Sequence, residues 1–169
     1  MDTNQDIDKL LKQLLISGEE QVHDICFFML NSGLRLAEII DIKFSHIDFI
    51  TGTLKIGMAK INLPNIEKVN ITLNHKSLTL LEKIRDKYPN DKWVFQSRKS
   101  NNQKNKQPHS LSRQLVINTI KQANQYLEQK LSFNCFRHAY ATSYFYDTLC
   151  VKNSLEHESI NATLKYIKK

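Results

Sequence analysis

Cysteine is scarce in this chain and badly placed for structural duty. Cys26, Cys135 and Cys150 are odd in number, far apart, and form no C-x-x-C pair. That excludes a disulfide framework and a cysteine-built zinc site. Turn-formers are scarce too: four glycines and three prolines in 169 residues leave little room for a turn-dense all-β fold or a long flexible linker. No apolar run approaches the roughly 18 residues that a membrane span needs. The opening "MDTNQDIDKLLKQLL" is acidic and lacks the basic and apolar regions of a secretory signal. Together these lacks lead to the expectation of a reduced, cytoplasmic setting with no membrane association.

What is present is a chain of single-domain length, 41% hydrophobic, enough to bury a core of its own. Twenty-four Lys and Arg against seventeen Asp and Glu give a net charge of +7. Such an excess favours a polyanionic partner, nucleic acid first among them. Charge alone leaves the plainer reading open, since many basic proteins bind no nucleic acid.

Hydrophobic periodicity predicts a helix over about 4–15, from Ile7, Leu10, Leu11 and Leu14. A second follows from Val22, Ile25, Cys26, Met29 and Leu30, closed by Gly33 in "NSG", a residue suited to the left-handed position after a helix. A short third helix carries "LRLAEIIDI". From residue 47 the period changes, and "IDFITGTLKIG" and "KVNITL" read as strands. Leu78, Leu81 and Ile84 mark a helix over about 76–87, and "KWVFQS" suits a short strand. Residues 97–109 form a polar, basic loop. Ser110 is placed to cap a helix over about 111–129, with Leu115, Val116, Ile120, Ala123 and Leu127 inward. "FNCFRHAYATSYFYDTL" is a nearly uninterrupted apolar and aromatic helix, which implies burial. A last helix begins near Glu158 and ends among Lys165, Lys168 and Lys169. The fold class is therefore mainly α with a small antiparallel β-sheet, in a single domain.

Two arginines stand in apolar surroundings, Arg35 in "SGLRLAEII" and Arg137 in "FNCFRHAYAT". Each alone reads as a solvated position on an amphipathic helix. Arg137 has almost no polar face to occupy, so its guanidinium must meet a buried acid or an anion from outside. Paired guanidinium forks suit a phosphodiester, because each can grip non-bridging oxygens bidentately. His23, His46, His75 and His109 show no ligand spacing. The cluster of Tyr140, Tyr144, Phe145 and Tyr146 reads as core rather than a base-stacking platform.

Three stretches together resemble the tyrosine recombinases of the phage-integrase type. "SGLRLAEIIDIKFSHIDF" is similar to their first box, T-G-L-R-x-x-E-hydrophobic with a later D-hydrophobic. "NCFRHAYAT" is similar to the second, H-x-L-R-H-x-x-A-T, and "LEHESINATLKY" to the third, L-G-H-x-x-hydrophobic-x-x-T-x-x-Y. His157 and Tyr166 stand nine apart, as in that family, with Thr163 where its threonine falls. The resemblance implies a fold of that catalytic-domain type and double-stranded DNA as partner. It implies Tyr166 as nucleophile, Arg35 and Arg137 as phosphate clamps, and His157 as a hydrogen-bond donor to the same phosphate. It also implies a hairpin lysine that protonates the departing 5′ oxygen. Lys60 fits that role, Lys68 is the alternative, and a solvated loop lysine is the plain reading. A phenol with a pKa of about 10 is a weak nucleophile at neutral pH, so the phosphate must be made electrophilic first. The implied reaction passes through a 3′-phosphotyrosine and needs neither metal nor ATP as cofactor. His138 is expected to make a structural hydrogen bond. The family works as a homo-oligomer, a tetramer on two duplexes.

The chain departs from the pattern in four respects. Asn134 stands where the second box begins with histidine, and asparagine cannot exchange a proton. Glu156 replaces glycine before His157, adding bulk and negative charge. The interval from Arg137 to His157 is twenty residues, shorter than expected. Residues 1–20 are too short for the N-terminal clamp domain that family members carry, and "IKK" is too short for the helix they place beyond the tyrosine. Asn134 and Glu156 keep open a second expectation, a DNA-binding protein that has the recombinase fold but little or no cleavage.

Overall fold

A computed structural model describes residues 3–57, 68–98 and 107–143. Helix α1 (Thr3–Ile16) turns Ile7, Leu10, Leu11 and Leu14 into the core, the stripe that its 3–4 spacing dictates. Helix α2 (Glu20–Ser32) buries Val22, Ile25, Cys26, Phe28 and Met29, and Leu30 is partly buried against the core. With so wide an apolar face it lies at the centre, packed against α1 and against four later helices. It stops at Gly33, whose φ of 69° only glycine adopts cheaply, and whose N–H reaches Met29 O at 2.9 Å.

The short helix α3 (Leu36–Ile40) leads into a three-stranded antiparallel sheet of β1 (Ile47–Asp48), β2 (Thr53–Gly57) and β3 (Lys68–Thr72), in that order. The "IDFITGTLKIG" stretch is thus a hairpin of two strands. Its turn forms because Asp48 Oδ1 accepts from the N–H groups of Ile50 and Thr51 at 2.9 and 3.1 Å. Leu54 and Ile56 alternate inward, and Ile71 pairs with Leu54 across the sheet. Helix α4 (His75–Lys87) is capped by Asn74, whose Oδ1 accepts from Ser77 N at 2.8 Å. The Asn74 amide also donates to Asn31 O at 2.8 Å, tying the start of α4 to the end of α2.

Three expectations for the following segment are corrected. "KWVFQS" forms no ladder; it makes single antiparallel bridges, Lys43 with Trp93 and Gln96 with Ser110. The fully buried Phe95 ring meets Phe28 edge-on at 6.5 Å, a contact that anchors this extended piece to α2. Ser110 is taken up by its bridge, so helix α5 (Arg113–Ala123) starts later, with Ser112 at its N-cap. That helix also ends six residues early. Asn124 is buried and clamps the chain on its way back, donating to Leu131 O at 2.8 Å and accepting from Leu131 N at 3.0 Å. Val116, Ile120 and Ala123 face inward as expected, with Leu115 and Leu127 partly buried.

Helix α6 (Phe133–Ser143) packs on α1 and α2 and buries Phe136, Arg137, Ala139, Tyr140 and Ala141. The expected continuation of this helix, the last helix from 158, and most of the basic loop lie outside the described residues. No helix among the described residues is long and apolar enough to cross a membrane.

Candidate functional site

The site grows from the end of α2. Ser32 Oγ donates to Phe28 O at 2.8 Å and accepts from Leu34 N at 3.4 Å, so the turn through Gly33 is held on both sides. Leu34 is buried and fixes the residue that follows it. Arg35 is extended, with φ −79° and ψ 150°, as the N-cap of α3. Residues at this position present their side chain back toward the first helical turn.

Glu38 uses that geometry twice. Its Oε2 accepts from the Arg35 backbone N–H at 2.6 Å, and its Oε1 from Arg35 Nη1 at 2.9 Å. One carboxylate therefore satisfies an otherwise orphaned donor at the helix start and sets the direction of the guanidinium. The Glu38 side chain is 4% exposed and that of Arg35 is 33%. A buried acid holds an arginine that still reaches the surface.

Arg137 sits in α6 and is buried, at 7% exposure. Asn134 lies three residues earlier in the first turn of the same helix and is exposed. Three residues apart, the two occupy one side of α6. Helices α3 and α6 both pack on α2, so this one helix supports the elements that carry both arginines. His138, next to Arg137, is half-buried. Lys68 opens β3 in register with Gly57. Lys60, His157 and Tyr166, and with them Glu156 and Thr163, lie outside the described residues.

Glu38 is a candidate site residue that the sequence pattern does not single out. Its signal was present, as an acid three residues after Arg35 in the first quoted box. It also looks like an ordinary acid in a first helical turn, and only the fold shows it buried and bonded to the arginine. His23, half-buried in α2, bonds Asp24 at 2.9 Å, and His46 accepts from Lys43 N at 3.3 Å. Among the described residues no group of His, Cys, Asp or Glu is arranged to hold a metal ion.

A family model described as the phage integrase family matches residues 3–169. The chain belongs to the phage integrase family. Its fold is that of tyrosine-recombinase catalytic domains. The crystal structure of XerA recombinase superposes with a TM-score of 0.72 at 16% identity, covering 96% of this chain and 58% of that one. The Tn1549 transposon integrase in complex with circular intermediate DNA gives 0.71 at 13% identity, covering 98% and 60%. The integrase from mycobacterium phage Brujita gives 0.67 at 21% identity, covering 98% and 51%. This phage integrase family chain thus spans between half and three-fifths of the length of these structures. A search of curated proteins finds no match.

Proposed function

We propose that this chain is the strand-breaking and rejoining domain of a site-specific DNA recombinase. The observation that carries the proposal is Arg35, partly exposed and oriented by the buried carboxylate of Glu38. An arginine fixed in this way is preorganised to hold a phosphate, so no reorientation is needed as charge builds in the transition state. Family membership supports the reading. So does the likeness to the Tn1549 integrase in complex with circular intermediate DNA and to XerH bound to its difH substrate, which supports DNA as the partner.

In the proposed reaction Arg35 and Arg137 grip the non-bridging oxygens of one phosphodiester, and His157 donates a hydrogen bond to it. The Tyr166 phenol oxygen attacks phosphorus as its proton passes to water, from which the lysine that protonates the leaving oxygen is later recharged. The bond to the 5′ oxygen breaks, and Lys60 (Lys68 as the alternative) delivers a proton to that oxygen. The product is a 3′-phosphotyrosyl ester and a free 5′ hydroxyl, which reverses the step when the hydroxyl of another strand attacks. The ester keeps the energy of the broken bond, so rejoining needs no external source. The protein is proposed to work as an oligomer on DNA, a tetramer by family resemblance.

The second reading is a DNA-binding protein without efficient cleavage. Asn134 favours it: an exposed amide in the family's histidine position cannot move a proton. The test is a nicked duplex bearing the site that the protein itself selects from random-sequence DNA, with chelator present. A covalent protein–DNA adduct, abolished by Tyr166→Phe, is expected. Site-selective binding by folded protein with no adduct would reject the first reading in favour of the second. Asn134→His is expected to raise the adduct rate.

A further inference from the structure

The surplus of positive charge is not spread along the chain. Residues 92–127 contain seven Lys and Arg and no Asp or Glu, and the remainder carries seventeen of each sign. The whole net charge of +7 therefore resides in this one stretch. Its described α-helix is α5, which carries Arg113 and Lys121 and no acid. Helices α1, α2 and α4 by contrast expose acids, at Asp8, Glu20, Glu82 and Asp86, as a solvated helix face commonly does.

Opposite the inward Val116, Ile120 and Ala123, α5 exposes Gln114, Asn118, Lys121 and Gln122, which fall at i, i+4, i+7 and i+8 on one face. Arg113 is exposed at the edge of that face. Gln114, Asn118 and Gln122 are neutral amides, which meet a phosphate backbone without repulsion and offer both donors and acceptors. Gln114 Nε2 donates to Asn118 Oδ1 at 2.8 Å. That bond joins the two amides into a unit with Gln114 Oε1 left to accept and Asn118 Nδ2 left to donate. Rotating both amides exchanges their roles and still leaves one acceptor and one donor. Helix α5 also packs on α3, which Arg35 caps, so a duplex held at Arg35 has α5 beside it.

We infer that the Gln114–Asn118 pair reads an adenine through the major groove of duplex DNA, with Arg113 and Lys121 on the flanking phosphates. The inference rests on the proposed function for its partner. Of the four bases only adenine shows that groove a donor, its N6 amino group, beside an acceptor, its N7. The amide pair is the complement: its free oxygen accepts from N6 and its free amino group donates to N7. Guanine places two acceptors there, one of which would face the amide oxygen. The 11 residues of α5 span roughly 16 Å at 1.5 Å each, and the major groove of B-DNA admits a helix. An RNA duplex does not fit, because its major groove is too narrow for side chains to read.

The test uses the full chain and the duplexes that it selects from random-sequence DNA. The unaltered chain is expected to fix adenine at one position. Gln114→Ala and Asn118→Ala should each relax that position by about ten-fold and leave the others as they were. Both side chains are exposed, and an unchanged unfolding midpoint confirms that the variants are folded. Replacing the adenine by 7-deazaadenine removes the N7 acceptor. It should weaken binding by the unaltered chain and make no difference to the double variant Gln114→Ala with Asn118→Ala. Arg113→Ala and Lys121→Ala should weaken every sequence alike, each lowering the salt slope by about one. The inference is overturned if the adenine preference survives in both single variants, or if 7-deazaadenine weakens the double variant as much as the unaltered chain. Preference for an RNA duplex over DNA overturns it as well. A covalent adduct on the selected duplex, with the adenine preference intact in both variants, rejects this inference and leaves strand breaking standing. A preference lost in the variants, with no adduct from the unaltered chain, supports this inference and rejects strand breaking.

Discussion

At the scale of single residues, the informative contact is the one between Glu38 and Arg35. The carboxylate accepts two hydrogen bonds from one residue, main chain and side chain together, and it is nearly out of solvent. Removing it leaves an uncapped helix start and a loosened guanidinium. Because Arg35 keeps a third of its side chain exposed, water recovers part of the loss. Glu38→Ala is therefore expected to cost about 1–3 kcal/mol, measured by urea unfolding. It should lower the rate of phosphotyrosyl adduct formation by about ten-fold or more, in proportion to a misplaced transition-state contact. Glu38→Gln keeps one acceptor and should fall between the two proteins in both measurements. An adduct rate unchanged in Glu38→Ala would remove Arg35 from the proposed clamp.

At the scale of elements, two connections owe their shape to side chains bonding the backbone. Asn124 stops α5 by taking both polar groups of Leu131. Asn124→Ala leaves a buried N–H and carbonyl unpaired, and is expected to destabilise the domain by about 2–4 kcal/mol, read from the shift in unfolding midpoint. The β1–β2 turn depends on Asp48. The backbone N–H of Thr51, then its hydroxyl, then the backbone N–H of Ile50 hold the Asp48 carboxyl below its ordinary value of 3.8. A carboxyl whose folded-state pKa is depressed contributes its stability above the unfolded pKa and loses it as pH falls through the folded one. The turn should thus be indifferent to pH at neutrality and loosen only below about pH 3.8. NMR titration of the Ile50 and Thr51 amides checks this, and a midpoint at or above the ordinary carboxylate value would contradict it.

At the scale of the whole molecule, the +7 charge makes DNA binding, as proposed, fall steeply with salt. Each phosphate neutralised releases about one counterion. Log Kd against log salt should be linear, and a flat line would show that the charge excess has no phosphate partner. Much of the fold was legible in the sequence, because helical periodicity, a β-branched run and a glycine stop are local properties. Helices α1, α2 and α4, the hairpin strands and the left-handed Gly33 follow from residues within a turn or two of each other. The order of the three boxes, from Arg35 through Arg137 to Tyr166, likewise announced the family. What local pattern could not decide was anything set by a partner distant in the chain. The helical periodicity of 111–129 runs past Ala123, yet Asn124 bonds a residue seven positions on and ends the helix there. "KWVFQS" has strand composition, but its neighbours at Lys43 and Ser110 offer one bridge each. Burial decides the rest: the sequence by itself determined most of the helices, the hairpin and the family they serve. Only their packing around α2 decided that Glu38 is a buried anchor for Arg35, because a carboxylate's surroundings come from the whole core.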